Sequence, residues 1–394
     1  ANTTGQRNTS VGYTSGSAIT TGNYNASFGS NFSLGRNTTG SYNAAFGDGA
    51  LSQNTTASHN VAVGQAALHV NTTGESNTGI GYFALGQNTT ASNNTAVGRQ
   101  TLYVNTTGSA NTAVGYQALD ANTTGDQNTA CGNNALGATT TGQYNTGIGT
   151  QALINNTTAS NNTGIGAFAL LNNTTGDSCV AVGIYSLDAN TTGDQNTAVG
   201  NFALSTNTTG QYNTAIGSQA LKNATTADEN VAVGMFSSLD MTSGTANTSV
   251  GTYSLQQNTS TSNNTSIGYK ALTANTANNN TALGMEALAA NTSGTRNTAC
   301  GKSCLDVNTT GIDLTGVGHD SLGGNTTGSY NTAVGKSALK AATTANYNTA
   351  VGYNSLTAST TGTNLAALGY QSLKANTTGS NNTATGSNAL EANT

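Results

Sequence analysis

The stretch from Asn190 to Leu204, N-T-T-G-D-Q-N-T-A-V-G-N-F-A-L, is the unit from which the rest of the chain is built. The Gly that closes its A-V-G triplet, Gly200, recurs at the same spacing as Gly183 in the preceding copy and Gly217 in the following copy. A fixed period of about 20 residues is the signature of a solenoid, and it overrides the prior that a chain of this length forms two or three domains. We therefore predict a single continuous repeat array over residues 1–394, with about 23 coils.

The period slips by one residue in two places. One residue is inserted near Ser30–Leu34, and one is lost within Asn275–Asn279. A one-residue slip inside a strand would move every following side chain to the opposite face. We therefore expect both changes to lie in turns.

The predicted fold class is all-β, a parallel β-solenoid or β-roll in which each 17-residue copy forms one coil of two short strands and two turns. Thr, Val, Asn and Gly recur throughout and disfavour helix. Neighbouring residues of a strand face opposite sides, so the Val before the repeated Gly and the Leu four residues after it are predicted to face inward, as is the Thr two residues before that Val. The predicted coil core is represented by Val114, Leu119, Val199, Leu204, Val334 and Leu339.

The small residue beside each large one is then predicted to face outward. Persistently small residues on an outer face indicate close packing against another surface, and a second copy of the chain is the expected partner. The predicted oligomer face is represented by Ala113, Ala118, Ala198, Ala203, Ala333 and Ala338. A homotrimer is favoured, with a dimer or a lateral fibre contact as alternatives.

The repeated N-T-A-V-G-x-x-A-L with N-T-T-G spacers resembles the repeats upstream of the endosialidase-type chaperone domain in phage and viral tail fibres. It is also similar to the head repeats of YadA-like trimeric autotransporter adhesins, whose N-x-x-A-I-G motif resembles Asn213–Gly217. The resemblance covers essentially the whole chain and implies a β-roll assembled as a trimer. The adhesin repeat is shorter than the repeat of this chain. The chain begins and ends in mid-repeat, so we expect it to be a piece of a longer polypeptide whose caps and anchors lie elsewhere.

The Asn that opens each N-T-T has two interpretations. It fits the N-glycosylation sequon, and it also fits a ladder in which stacked amides hydrogen-bond from coil to coil. Glycans spaced about 4.8 Å apart would collide, which favours the ladder. The candidate glycosylation sites are Asn71, Asn105, Asn122, Asn190, Asn207, Asn308, Asn325 and Asn376.

Catalytic, cofactor and metal sites are not predicted. His59, His69 and His319 have no recurring acid or nucleophile beside them, as a catalytic triad would require. The four Cys, at positions 131, 179, 300 and 304, have no metal-ligand spacing and are expected to act as small apolar residues, with a Cys300–Cys304 bridge as an alternative. The net charge of −5 without a basic patch argues against nucleic acid, and no apolar run is long enough to span a bilayer.

The function expected from this pattern is a structural shaft that gives length and stiffness to an extracellular, cell-surface or virion fibre, and not an enzyme. Three alternatives are an N-glycosylated filament, an adhesin head that binds cell-surface glycans, and an ice-binding solenoid. Aromatic residues after the repeated Gly, such as Phe202, and before the strand Asn, such as Tyr212, could stack on sugars, but we expect them to cover turns and coil edges. Only one Thr of each adjacent N-T-T pair could face out from a strand, which weakens the ice-binding alternative.

Overall fold

The computed structural model describes residues 2–393, in two compact units that meet in the sequence between Asn196 and Thr197. This point lies inside one copy of the repeat, within N-T-A-V-G, and the 17-residue period continues through it. Each unit is an all-β parallel solenoid with one coil per copy, so the predicted fold class and repeat length are confirmed.

Every strand has three residues and is the T-A-V segment of its copy. The first unit contains β1 Thr9–Val11, β2 Ala26–Phe28, β3 Ala44–Phe46, β4 Val61–Val63, β5 Thr78–Ile80, β6 Thr95–Val97, β7 Thr112–Val114, β8 Thr129–Cys131, β9 Thr146–Ile148, β10 Thr163–Ile165 and β11 Val180–Val182. The second contains β12 Thr197–Val199, β13 Thr214–Ile216, β14 Val231–Val233, β15 Thr248–Val250, β16 Thr265–Ile267, β17 Thr281–Leu283, β18 Thr298–Cys300, β19 Thr315–Val317, β20 Thr332–Val334, β21 Thr349–Val351, β22 Ala366–Leu368 and β23 Thr383–Thr385. Within each unit, consecutive strands pair in parallel and in register, as Thr112 with Thr129 shows.

The Gly after each strand is required by both backbone conformation and space. Gly115 has φ +136°, and a Cβ placed on it would lie 2.3 Å from the carbonyl oxygen of Gly132 in the next coil. A side chain at this position would therefore be strained and would separate the coils. This constraint accounts for the presence of Gly at this position in every copy.

The prediction of a second strand in each coil was wrong. The A-L segment forms a turn in which Gln117 and Leu119 both have left-handed conformations, with φ near +52°. Two left-handed residues so close together are incompatible with an extended strand. The segment is still tied to the next coil, because the Leu119 amide donates to the Ala135 carbonyl at 3.0 Å.

The predicted inner and outer faces of the strand were reversed. The middle residue of the strand faces inward, and the first and third face outward. The six alanines of the predicted oligomer face, Ala113, Ala118, Ala198, Ala203, Ala333 and Ala338, are fully buried within their own chain. Of the predicted core, Leu119, Leu204 and Leu339 are fully buried, whereas Val114 is 39% exposed and Val199 and Val334 are half-buried.

The reversal has a steric cause. The buried Leu of the turn fills the coil beneath the strand, so only Ala, Gly or Ser fits at the middle strand position. At Gly147, an added Cβ would already lie 3.1 Å from Cγ of Leu136. The larger side chains of the strand therefore point away from the coil. The first strand residue, predicted to face inward, is exposed or half-buried in every case described, including Val61, Val180 and Val231.

Both period slips lie in turns, as predicted. After the insertion, Asn31 and Phe32 adopt adjacent left-handed conformations, while β2 and β3 on either side remain in register. At the deletion, the side-chain Nδ2 of Asn275 donates to the Ala277 carbonyl two residues away at 2.7 Å, and β16 and β17 remain in register. The turns therefore absorb changes of length without disturbing the sheet.

Candidate functional site: the faces of the coil

The Asn that opens N-T-T forms a buried column of amides in the turn, here called the turn Asn column. Asn105 donates from Nδ2 to the Gly108 carbonyl at 2.8 Å and to Oδ1 of Asn88 in the preceding coil at 2.9 Å. Its own Oδ1 accepts from Asn122 in the following coil at 2.8 Å. The amides thus form the ladder that the sequence predicted as one of two alternatives.

The eight candidate glycosylation sites all belong to the turn Asn column. Asn71, Asn105, Asn122, Asn190, Asn207, Asn308, Asn325 and Asn376 are each fully buried. Each donates from Nδ2, the atom that would carry a glycan, to a carbonyl three residues ahead. A glycan on any of them would displace that bond and would not fit between stacked coils, so these amides are inaccessible in the folded chain.

A second column of amides precedes the strands and was not singled out from the sequence. This column, here called the strand Asn column, consists of the residue immediately before each strand, which is Asn in most copies. Its member Asn111 accepts from the Asn128 backbone amide through Oδ1 at 2.9 Å and donates from Nδ2 to the Gly125 carbonyl at 2.8 Å. The signal was present, because this Asn opens nearly every N-T-A-V-G motif. It was overlooked because the sequence does not reveal which Asn of the copy faces inward.

In most coils, the two columns converge on one buried backbone carbonyl. The Gly108 carbonyl accepts from Asn105 of its own copy and from Asn94 of the preceding one, both at 2.8 Å. Buried carbonyls are costly to leave without a donor. Two amides per carbonyl therefore provide one more donor than each coil needs.

In the part of the chain that the structure describes, an interruption of one column always leaves the other column's donor in place. Met241 interrupts the turn column, and Asn230 donates to the Gly244 carbonyl at 2.8 Å. Leu314 interrupts the strand column, and Asn325 donates to the Gly328 carbonyl at 3.0 Å. The same holds at the interruptions Ile19, Thr139, Cys179, Ala224, Ala342, Ser359 and Leu365.

The first and third residues of each strand form two outward rows, here called the outer strand columns. The row of first residues is the first column, and the row of third residues is the third column. The first residue is Thr in most strands and Ala or Val in the others, and the third is Val, Ile, Leu, Phe or Cys everywhere except Thr385. Third-column side chains are large, apolar and partly exposed, as at Ile80 (38%) and Ile148 (39%). None of the ten Lys and Arg or fifteen Asp and Glu residues of the chain lies in either column.

Aromatic rings form short stacks along the edges of the coils. Tyr24 and Tyr42 are parallel with centroids 4.8 Å apart, and His59 continues this stack at 5.1 Å. Tyr330 and Tyr347 stack in the same way at 4.9 Å. A ring whose face lies against the ring of the next coil does not offer that face to a sugar.

His69 is paired with the hydroxyl of Ser52, which lies 17 residues earlier in the chain. Its Nδ1 lies 2.8 Å from Oγ of Ser52 and 3.2 Å from the Gly49 carbonyl, and Ser52 Oγ also donates to the His69 carbonyl at 3.2 Å. These contacts join two successive coils through one imidazole nitrogen, one hydroxyl and two backbone carbonyls. The geometry is that of a structural link between coils rather than of an activated nucleophile.

The four cysteines are free thiols, so the Cys300–Cys304 bridge is not formed. Burial raises the pKa of Cys179 to about 11 and that of Cys304 to about 12, which makes both thiols unreactive. These two fit the expected role of small buried residues. Cys131 and Cys300 occupy the third outer strand column, where Cys131 is exposed and Cys300 is half-buried.

The half-buried carboxyl of Asp188 lies in an unusual environment. Burial raises the pKa of Asp188 to about 6, and its Oδ1 is buried without a hydrogen-bond partner. A shallow surface depression of about 470 Å³ is lined by Lys270, Glu286 and Asp306 among others. Within residues 2–393, no group of three or more His, Cys, Asp or Glu side chains is arranged to hold a metal ion.

Comparison with known proteins gives no match to a family model and none to a curated protein sequence. Within residues 2–393, no helix has the length and apolar character needed to cross a bilayer. Any assignment of function therefore depends on the geometry of the coil and its faces.

Proposed function

We propose that this chain is the shaft of an extracellular or virion fibre, a repetitive spacer that provides length and stiffness to an appendage. The proposal is carried by one observation: within each unit, each coil is joined to the next by the same set of in-register bonds. The Thr112 amide donates to the Asn128 carbonyl at 2.9 Å, Thr106 Oγ1 donates to the Thr123 carbonyl at 3.0 Å, and both amide columns run alongside. In such an array, stability is a sum of coil and interface terms, and length can be added without changing the coil.

The glycosylated filament and the glycan-binding adhesin head are less well supported. The Asn side chains that fit sequons are buried and hydrogen-bonded. The stacked aromatic rings face one another. The resemblance to tail-fibre repeats is consistent with a spacer.

The spacer function is tested by changing the number of copies. Removal of residues 105–121, one complete copy, joins two equivalent positions, and we expect particles shorter by one coil, about 4.8 Å, with unchanged width and thermal stability. As a matched control, removal of residues 105–112 leaves half a copy and is expected to cause local unfolding. Electron microscopy and small-angle scattering measure length and width. Flexible or collapsed particles from the full chain would overturn the spacer proposal.

A further inference from the structure

The outer strand columns form an exposed surface of paired side chains that is uncharged throughout and apolar in the third column along the first unit. In the first unit, eleven strands each present one such pair of side chains on a continuous, in-register sheet. The third-column side chains are typically a little more than one-third exposed, as at Ile80, Val114 and Ile165. Extended apolar surface of this kind marks an interaction face more often than a solvated one.

Strand propensity alone does not account for the composition of the third column. Strands also favour Thr and Tyr, and both are abundant in this chain. The third column nevertheless has Thr only at Thr385 and no Tyr, and it includes Leu283, Leu368, Cys131 and Cys300, which are apolar but not β-branched. The position two residues later, which is also exposed at Tyr116 and Thr150, varies over Tyr, Asp, Arg, Lys, Asn and Ile. Apolar character is therefore the property that the side chains of the third column share, with Thr385 as the exception.

We infer that the outer strand columns are the surface through which copies of this chain pack against one another, face to face. This deepens the proposed shaft function and rests on it. The buried alanines cannot provide this contact, because they lie inside their own coil.

The absence of charge makes a second copy the fitting occupant. The chain is acidic, with a net charge of −5, so two copies repel one another unless their charged residues stay apart. Facing sheets interdigitate about 10 Å apart, and both columns are free of charge along each unit, so two copies can approach at this face without opposing like charges. Burial of roughly 50 Å² per coil on each partner would bring eleven coils to the total of about 1,000 Å² expected of a specific interface.

The test introduces charge into this face without disturbing the coil. In the full chain, Ile148→Lys together with Ile165→Lys places two ammonium groups in the third column of β9 and β10. The matched control, Thr150→Lys with Ala167→Lys, places the same charges two residues later in the same coils. Circular dichroism and thermal melting confirm that both variants are folded, and sedimentation velocity measures particle mass at micromolar concentration.

We expect the unaltered chain and the control to sediment as the same multiple of the chain mass, and the column variant to dissociate at least ten-fold more readily. A folded but monomeric unaltered chain would overturn the inference while leaving the spacer proposal standing. Equal assembly of the two variants would overturn it as well. If the monomer instead binds ice and shows thermal hysteresis, water rather than a second copy is the occupant of this face.

Cys131 provides a second measurement that does not depend on the charged substitutions dissociating the particle. It lies in the third column of β8 and is exposed in the single chain. We expect maleimide to modify it at least ten-fold more slowly in the assembled chain than in the column variant, as followed by peptide mass mapping. Equal rates would contradict an interface at this face.

Discussion

Two regions of the molecule provide hydrogen-bond donors to an equivalent buried carbonyl in different ways. In residues 94–111 of the first unit, Asn94 and Asn105 both donate to the Gly108 carbonyl. In residues 331–348 of the second unit, Ala342 replaces the turn Asn, and Asn331 alone donates to the Ala345 carbonyl at 2.7 Å. The backbone of the two regions is otherwise alike, since Thr106 and Thr343 both donate to the Thr carbonyl of the next coil. One amide is therefore enough to build the coil, and the second is a reserve.

The largest loss of stability is expected where the second amide donor is missing. Asn331→Ala removes the amide donor of the Ala345 carbonyl, whereas Asn94→Ala leaves the Gly108 carbonyl bonded to Asn105. Both substitutions also remove an Oδ1 that accepts from the next coil, from Asn348 in one case and Asn111 in the other. We expect Asn331→Ala to be the more destabilising by about 1–3 kcal/mol, the cost of an unsatisfied buried polar group. Urea denaturation, with hydrogen exchange to locate the opening, measures this difference, and equal losses would contradict the reserve.

A double-mutant cycle tests the same idea within the first region. Asn94→Ala and Asn105→Ala each leave one donor on the Gly108 carbonyl, but the double variant leaves neither. The double variant should therefore be destabilised by about 1–2 kcal/mol more than the sum of the single variants. Asn77→Ala with Asn105→Ala is the control, because these residues donate to different carbonyls. Additive losses in the test pair would mean that the two amides act independently.

The opposite experiment restores the missing amide. Ala342→Asn places a second donor within reach of a carbonyl that is already bonded, so we expect a gain of less than about 1 kcal/mol. Ala341→Asn, at the neighbouring half-buried position, is the control and should give no gain. A larger stabilisation from Ala342→Asn would show that a single donor is not sufficient.

A smaller change in stability is expected at Asp188, whose Oδ1 is buried without a hydrogen-bond partner. Because its pKa in the folded state is about 6, above the usual value near 4 for Asp, the folded chain binds more protons than the unfolded chain between about pH 4 and pH 6. The free energy of unfolding should therefore fall as the pH rises through this window. Asp188→Asn should remove this dependence and raise the melting temperature at pH 7, whereas Glu75→Gln, on an exposed side chain, should do neither. An unchanged pH profile in Asp188→Asn would contradict the assignment.

Much of the fold follows from the sequence because the copies can be compared with one another. The 17-residue spacing of Gly200 and its equivalents predicted the coil. The single-residue slips near Ser30 and Asn275 predicted turns, since only a turn can change length without reversing a strand's faces. The Leu column predicted the core.

The direction in which each side chain points was decided only by the tertiary structure. Alternation along T-A-V states that Ala and Val face opposite sides, but not which side is inside. That choice depends on the Leu of the turn, which fills the coil beneath the strand and leaves room only for a small residue there. The same packing turns Asn105 and Asn111 inward onto shared carbonyls and leaves the Thr and Val columns outside. The sequence by itself thus determined the repeat, its turns and its glycines, whereas the packing of neighbouring turns determined which residues form the core and which lie on the outer face.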